Sequence, residues 1–125
     1  PPGKEPPVAD DGYEKLLDEA RQSWQRGKRA KALAAATQAL EQNPSGAGAM
    51  SLMAIVHLDS GRMPKALEFA EQALAIDDAN AEAHFAAGVA LQEMGRGARA
   101  KEHYRRYLEI EPRGRYASDA RSMLQ

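Results

Sequence analysis

Ala54-Ile55-Val56-His57-Leu58-Asp59-Ser60-Gly61-Arg62-Met63-Pro64-Lys65-Ala66 decides how this chain folds. Gly61 stands where a helix has to stop, because glycine takes the left-handed cap conformation cheaply. Pro64 then falls in the first turn of a second helix, where a missing backbone N–H costs nothing. Beyond it, Leu67, Ala70 and Leu74 sit at i, i+3 and i+7, one face of a helix. The stretch therefore reads as helix, tight turn, helix.

The same pattern recurs on both sides. Gly27, Gly61 and Gly95 stand 34 residues apart, and Ala32, Ala66 and Ala100 keep that step. So do Ala20, Ala54 and Gly88, then Leu40, Leu74 and Leu108, then Pro44, Asp78 and Pro112. Marker columns in register at one such period are the mark of a two-helix repeat. First helices are expected around 13–26, 47–60 and 81–94, and second helices around 30–42, 64–76 and 98–110. Asn80 is a natural N-cap before Ala81-Glu82-Ala83. Pro44 and Pro112 close second helices. No stretch alternates as a strand would. The predicted organisation is a tether over 1–12, repeats over 13–46, 47–80 and 81–114, and a capping helix over 115–125. That last half unit, with Tyr116, Ala117 and Ala120, would cover the open apolar face of the third repeat.

Pro1-Pro2-Gly3-Lys4-Glu5-Pro6-Pro7 prefers an extended form and reads as the end of a tether to an upstream region. At 125 residues there is room for one domain. A formal net charge of −1 gives no overall field toward nucleic acid or a membrane surface, and neither is an expected partner. No apolar run is long enough to span a bilayer. The absence of cysteine removes disulfides, thiolate metal sites and thiol nucleophiles together.

The columns resemble the tetratricopeptide repeat family over residues 13–125. The small residue of the first helix matches Ala20, Ala54 and Gly88; the turn glycine matches Gly27, Gly61 and Gly95; the close-approach alanine matches Ala32, Ala66 and Ala100. The later small position matches Ala39 and Ala73, whereas Tyr107 departs from it. The family's second-helix aromatic survives only as Tyr104, with Ala36 and Ala70 in its place elsewhere. The closing proline is lost at Asp78, and Leu16 replaces a large aromatic in the first repeat. The resemblance implies an all-α, right-handed α-solenoid of three helix-turn-helix repeats and a cap. It also implies a protein-binding adaptor whose first helices line a concave groove.

By repeat counting, the family's groove positions carry Leu17, Arg21 and Trp24 in the first repeat and Ser51, Leu52, Ile55 and Leu58 in the second. Phe85 and Val89 follow in the third, and Tyr116 in the cap; Asp18, Gln25, Asp59, Ala86, Gln92, Glu93 and Asp119 share the face. If the apolar members are exposed they form a partner-binding channel. Leu52, Ile55 and Val89 could equally turn inward as core. Trp24 and Phe85 are read as interface anchors, although Trp24 could pack on its own repeat's turn. Family members that clamp a terminal carboxylate use lysine, asparagine and arginine at positions that here hold Leu17, Arg21, Leu52, Glu82 and Ala86. Only Arg21 could serve, and Glu82 would repel a carboxylate.

Lys28, Arg29 and Lys31 at the first turn, Arg62 and Lys65 at the second, and Arg99 and Lys101 at the third make a basic edge. Cations ending first helices are ordinary capping. Lys31, Arg99 and Lys101 open second helices instead, which points to an acidic partner surface. Catalysis has little support. His57, His84 and His103 fall at three different repeat positions and are not expected to converge as ligands, and no metal or other cofactor is expected. No metalloprotease, P-loop or nucleophile-elbow motif is present. The expected function is a non-catalytic adaptor or scaffold holding a partner's peptide or helix. The expected setting is a larger bacterial signalling, motility or secretion protein in the cytoplasm. The alternative is a regulatory segment of an enzyme, such as a kinase or methyltransferase, with its catalytic domain upstream. Self-association through the solenoid ends is a third possibility.

Overall fold

The computed structural model describes residues 11–125, so the proline-rich segment lies outside the described residues. These residues form seven α-helices and no strand: α1 (Asp11–Gln25), α2 (Arg29–Gln42), α3 (Ala47–Asp59), α4 (Met63–Ile76), α5 (Ala81–Glu93), α6 (Gly97–Ile110) and α7 (Ala117–Met123). Apart from α1, which starts two residues early, each repeat helix begins and ends within a residue of its expected bounds.

The punctuation is local chemistry repeated three times. Gly27, Gly61 and Gly95 have φ of +76°, +75° and +82°. That conformation aims the next N–H back into the helix it ends: Lys28 N donates to Ser23 O at 2.8 Å, Arg62 N to His57 O at 2.9 Å and Arg96 N to Leu91 O at 2.8 Å. Each bond satisfies a carbonyl that a helix end would leave orphaned. Pro64 occupies the first turn of α4, and the Asn80 side chain accepts Ala83 N at 2.9 Å to cap α5.

Within a repeat, the paired helices meet on alanine. Ala20 lies opposite Ala32 and Ala36 in one sealed cluster, and Ala54, Ala66 and Ala70 repeat the arrangement in the next. All six are fully buried. Side chains this small let helix axes approach near the short end of roughly 8–10 Å. Between repeats, α3 packs on α2 and α5 on α4, and α3 also packs on α1 and α5. First helices thus touch one another along the stack, while second helices are spread apart. The stack bends toward α1, α3 and α5, which makes that side concave. Ala117 and Ala120 of α7 seal the last repeat's core.

Candidate functional site

The concave face is more polar than a row of apolar groove positions suggests. Ser51, Leu52, Ile55 and Phe85 are all buried, with Leu52 fully so. These residues belong to the core in this structure, and Phe85 is not an open anchor. The physical reason is the tightness of the bend. Arg21 of α1 reaches Glu82 of α5, 61 residues away, with Nη1 at 3.1 Å and Nη2 at 3.3 Å from its carboxylate. Ser51 Oγ, on the helix between them, donates to the same carboxylate at 2.7 Å. Polar contacts thus roof the middle of the groove. At the cap end, the Tyr116 ring lies flat on Phe85, with centroids 4.2 Å apart and planes 5° off parallel.

Leu17, Arg21, Trp24, Leu58, Val89 and Tyr116 stay partly accessible. Trp24 packs against the cluster that holds Ala20, Ala32, Leu52 and Val56. Its indole Nε1 donates to Asp59 of the second repeat at 2.8 Å, and the Arg115 guanidinium lies over its ring at 4.5 Å. The same guanidinium sits 5.7 Å from the Tyr116 ring. A hollow of about 220 Å³ opens beside it, lined by Arg21, Glu82, Tyr107, Glu111, Arg115 and Tyr116. The Tyr116 hydroxyl is buried with no hydrogen-bond partner among the described residues. Desolvation, reinforced by the Glu82 carboxylate, pushes it up to about 12. Arg115 was not singled out by repeat counting, because it precedes the cap's first groove position. Its repeat equivalents are Tyr13, Ala47 and Ala81, so only the last unit could offer a cation there.

The seven residues of the basic edge are exposed. Arg29 Nη1 donates to the Asp59 carbonyl at 3.4 Å, Lys65 faces Glu68 at 3.6 Å, and Arg99 faces Glu71 of the preceding repeat at 3.8 Å. These three have structural partners, which accounts for Arg99 opening a second helix. Lys28, Lys31, Arg62 and Lys101 have no ion pair among the described residues.

Two of the histidines, His84 and His103, meet across the α5–α6 turn, with Nδ1 atoms 3.0 Å apart. Different repeat positions meet because α5 and α6 run antiparallel about the Gly95 turn. His84 Nε2 lies 2.8 Å from the Asp78 carbonyl, which can only accept. His84 Nδ1 of the neutral pair is then an acceptor, and His103 Nδ1–H donates to it. Burial holds His103 below its ordinary range, with His84 and Arg99 adding to the effect. Among the described residues no three His, Asp or Glu side chains gather as a metal site would require. No described helix is long and apolar enough to cross a membrane.

Two family models, both described as tetratricopeptide repeat, match residues 17–81 and 57–124. Among solved structures, the Sgt2 TPR domain from Aspergillus fumigatus is 31% identical; the match covers 95% of this chain and 80% of that one, with a TM-score of 0.80. The first TPR of Spaghetti (RPAP3) bound to HSP90 peptide SRMEEVD is 20% identical, covering 93% and 95% of the two chains, with a TM-score of 0.83. An O-GlcNAc transferase mutant from Thermobaculum terrenum is 23% identical with a TM-score of 0.85; the match takes in 95% of this chain but 23% of that one. No curated protein sequence matches the chain.

Proposed function

We propose, from the premise that the chain belongs to the tetratricopeptide repeat family, that it is an adaptor whose concave face holds a peptide or helix of a partner protein. The observation that carries this is the mixed surface left on that face. Leu17, Trp24, Leu58, Val89 and Tyr116 are half-covered, and they border the Arg21–Glu82 bridge and the Trp24–Asp59 hydrogen bond. Half-covered aromatic and aliphatic groups beside fixed polar ones supply both desolvation and direction to a bound chain. The peptide in the Spaghetti (RPAP3) complex is acidic and ends in aspartate. Such a ligand does not suit this face: its one matching cation, Arg21, is already neutralised by Glu82, and a carboxylate there would meet Glu82.

Lys28, Lys31, Arg62 and Lys101 support a second, weaker contact to an acidic patch of the partner, acting mainly on encounter rate. A larger bacterial signalling, motility or secretion protein is the proposed setting, supported by the alanine- and arginine-rich composition. A regulatory segment of an enzyme is the second reading. The O-GlcNAc transferase match is an example of an enzyme with this fold in under a quarter of its length.

Site-specific photocrosslinking in cells tests the face. A benzophenone amino acid replacing Val89 should give protein adducts, and one replacing Glu68 on the exposed side of α4 should not. Adducts from position 68 alone would move the site to the convex face.

A further inference from the structure

We propose that the concave face recognises an arginine of a basic peptide segment, whose guanidinium takes the place now held by Arg115 between Trp24 and Tyr116. This rests on the adaptor reading above and names the chemistry of the partner. The first support is that the slot already holds a guanidinium. The Arg115 group lies 4.5 Å from the Trp24 ring and 5.7 Å from the Tyr116 ring, within range for a cation on an aromatic face. Both walls are fixed from behind. Asp59 holds the indole through Nε1, and Phe85 backs the phenol by stacking. A fixed pair of rings loses little freedom when a planar cation is exchanged between them.

The second support is charge. Arg115 is exposed and has neither a hydrogen bond nor an ion pair among the described residues, so it is held only by rings and solvent. Around the slot stand Asp59 and Glu111, with Glu82 already paired to Arg21. Across the wider face, Asp18, Glu93 and Asp119 are exposed carboxylates with no ion pair among the described residues. Such a face repels an acidic chain and attracts a basic one. The third support is the Tyr116 hydroxyl, buried without a partner and therefore ready to accept from an incoming N–H. Guanidinium suits the slot better than ammonium, because it is delocalised and more weakly hydrated and so leaves water for an aromatic face more readily.

Trp24 is the sole tryptophan, so its emission reports on the slot directly. The probes are three short amphipathic peptides of leucine and alanine bearing arginine, lysine or glutamate at the same polar positions. Arginine peptide should shift Trp24 emission saturably, lysine peptide more weakly and glutamate peptide not at all. Arg115→Ala removes the internal competitor and should tighten the arginine peptide roughly threefold or more. Asp59→Asn, which keeps an acceptor for the indole, should weaken it. Circular dichroism checks that both variants fold, and Arg115→Gln stands in if the alanine variant does not. Binding left unchanged or weakened by the Arg115 variants, or a glutamate peptide that binds as well, overturns the arginine slot. If no peptide moves Trp24 emission in any of these proteins, the slot falls as well. Val89 crosslinking then judges the concave face independently.

Discussion

The second and third repeats solve one packing problem in opposite ways. In the second, Ala54 on α3 faces Ala70 on α4, both fully buried, and the crossing is filled by backbone approaching backbone. In the third, the matching positions are Gly88 and Tyr104. Tyr104 is fully buried, and its hydroxyl donates to Gln92 at 2.8 Å. A methyl group at position 88 would come within 2.7 Å of Tyr104 Cε1 and 2.9 Å of Cδ1. The glycine therefore makes room for the ring rather than for a neighbouring helix. Tyr107, which departs from the family's small position, extends the same aromatic layer: its hydroxyl accepts Tyr116 N at 2.9 Å. Alanine suffices where another repeat follows. Where only a seven-residue cap follows, the last repeat holds it with rings.

The harshest test of that contrast is Phe85→Ala. Phe85 lies 5.8–6.0 Å from the Tyr104 and Tyr107 rings and stacks on Tyr116. Truncating a buried aromatic typically costs about 3–5 kcal/mol. Chemical denaturation should show a loss of that order, and any loss of partner binding would follow from unfolding rather than from a missing contact. A loss below about 1 kcal/mol would mean that rings do not hold the cap.

Gly88→Ala sharpens the comparison at one atom. Alanine is native at the same position in the first two repeats, and alanine is the better helix former by about 1 kcal/mol. Even so, the change should destabilise the third repeat by roughly 1–3 kcal/mol through overpacking. Combined with Tyr104→Ala, which recreates the second repeat's pair, the two losses should be clearly less than additive in denaturant melts. Additive losses would show that the glycine and the ring are not fitted to each other.

The fold was legible because its signals are local and periodic. Gly61 followed by Pro64 locates a turn to within a residue, and Asn80 caps α5 as its side chain predicts. The site was legible only in part. Repeat counting assigns Trp24, Arg21 and Tyr116 to the concave side, but it carries no measure of how tightly the stack bends. Bending brings Arg21 to Glu82 and Arg115 to Trp24, and it turns Leu52, Ile55 and Phe85 into core. Contacts between residues so far apart leave no trace at the period of a single repeat. The His84–His103 pair was missed for another reason. It joins two positions across one turn, and the comparison that would find it runs outward from Gly95 in both directions rather than along the repeat.

The smallest expected effect is a pH dependence that the two repeats share through different devices. In the second repeat, His57 is buried and stacks on Phe69 with centroids 5.5 Å apart. Desolvation, with Arg62 and Lys65 nearby, holds it below its ordinary 6.5. In the third, burial with His84 and Arg99 does the same to His103. A histidine depressed in the fold takes up its proton more readily once unfolded. Its contribution is therefore complete above the ordinary value of 6.5 and is lost as pH falls from there through the folded value. Thermal melts taken from about pH 7.5 to about pH 5 should show Tm falling as these histidines take up protons. His103→Asn keeps a donor for His84 Nδ1 and removes one titrating ring, so it should shrink the fall. His57→Leu should shrink it separately, since the sites lie in different repeats and share no hydrogen bond. If both variants keep the full wild-type fall, acid acts through carboxylates instead, and the histidines of the two repeats do not differ from surface groups.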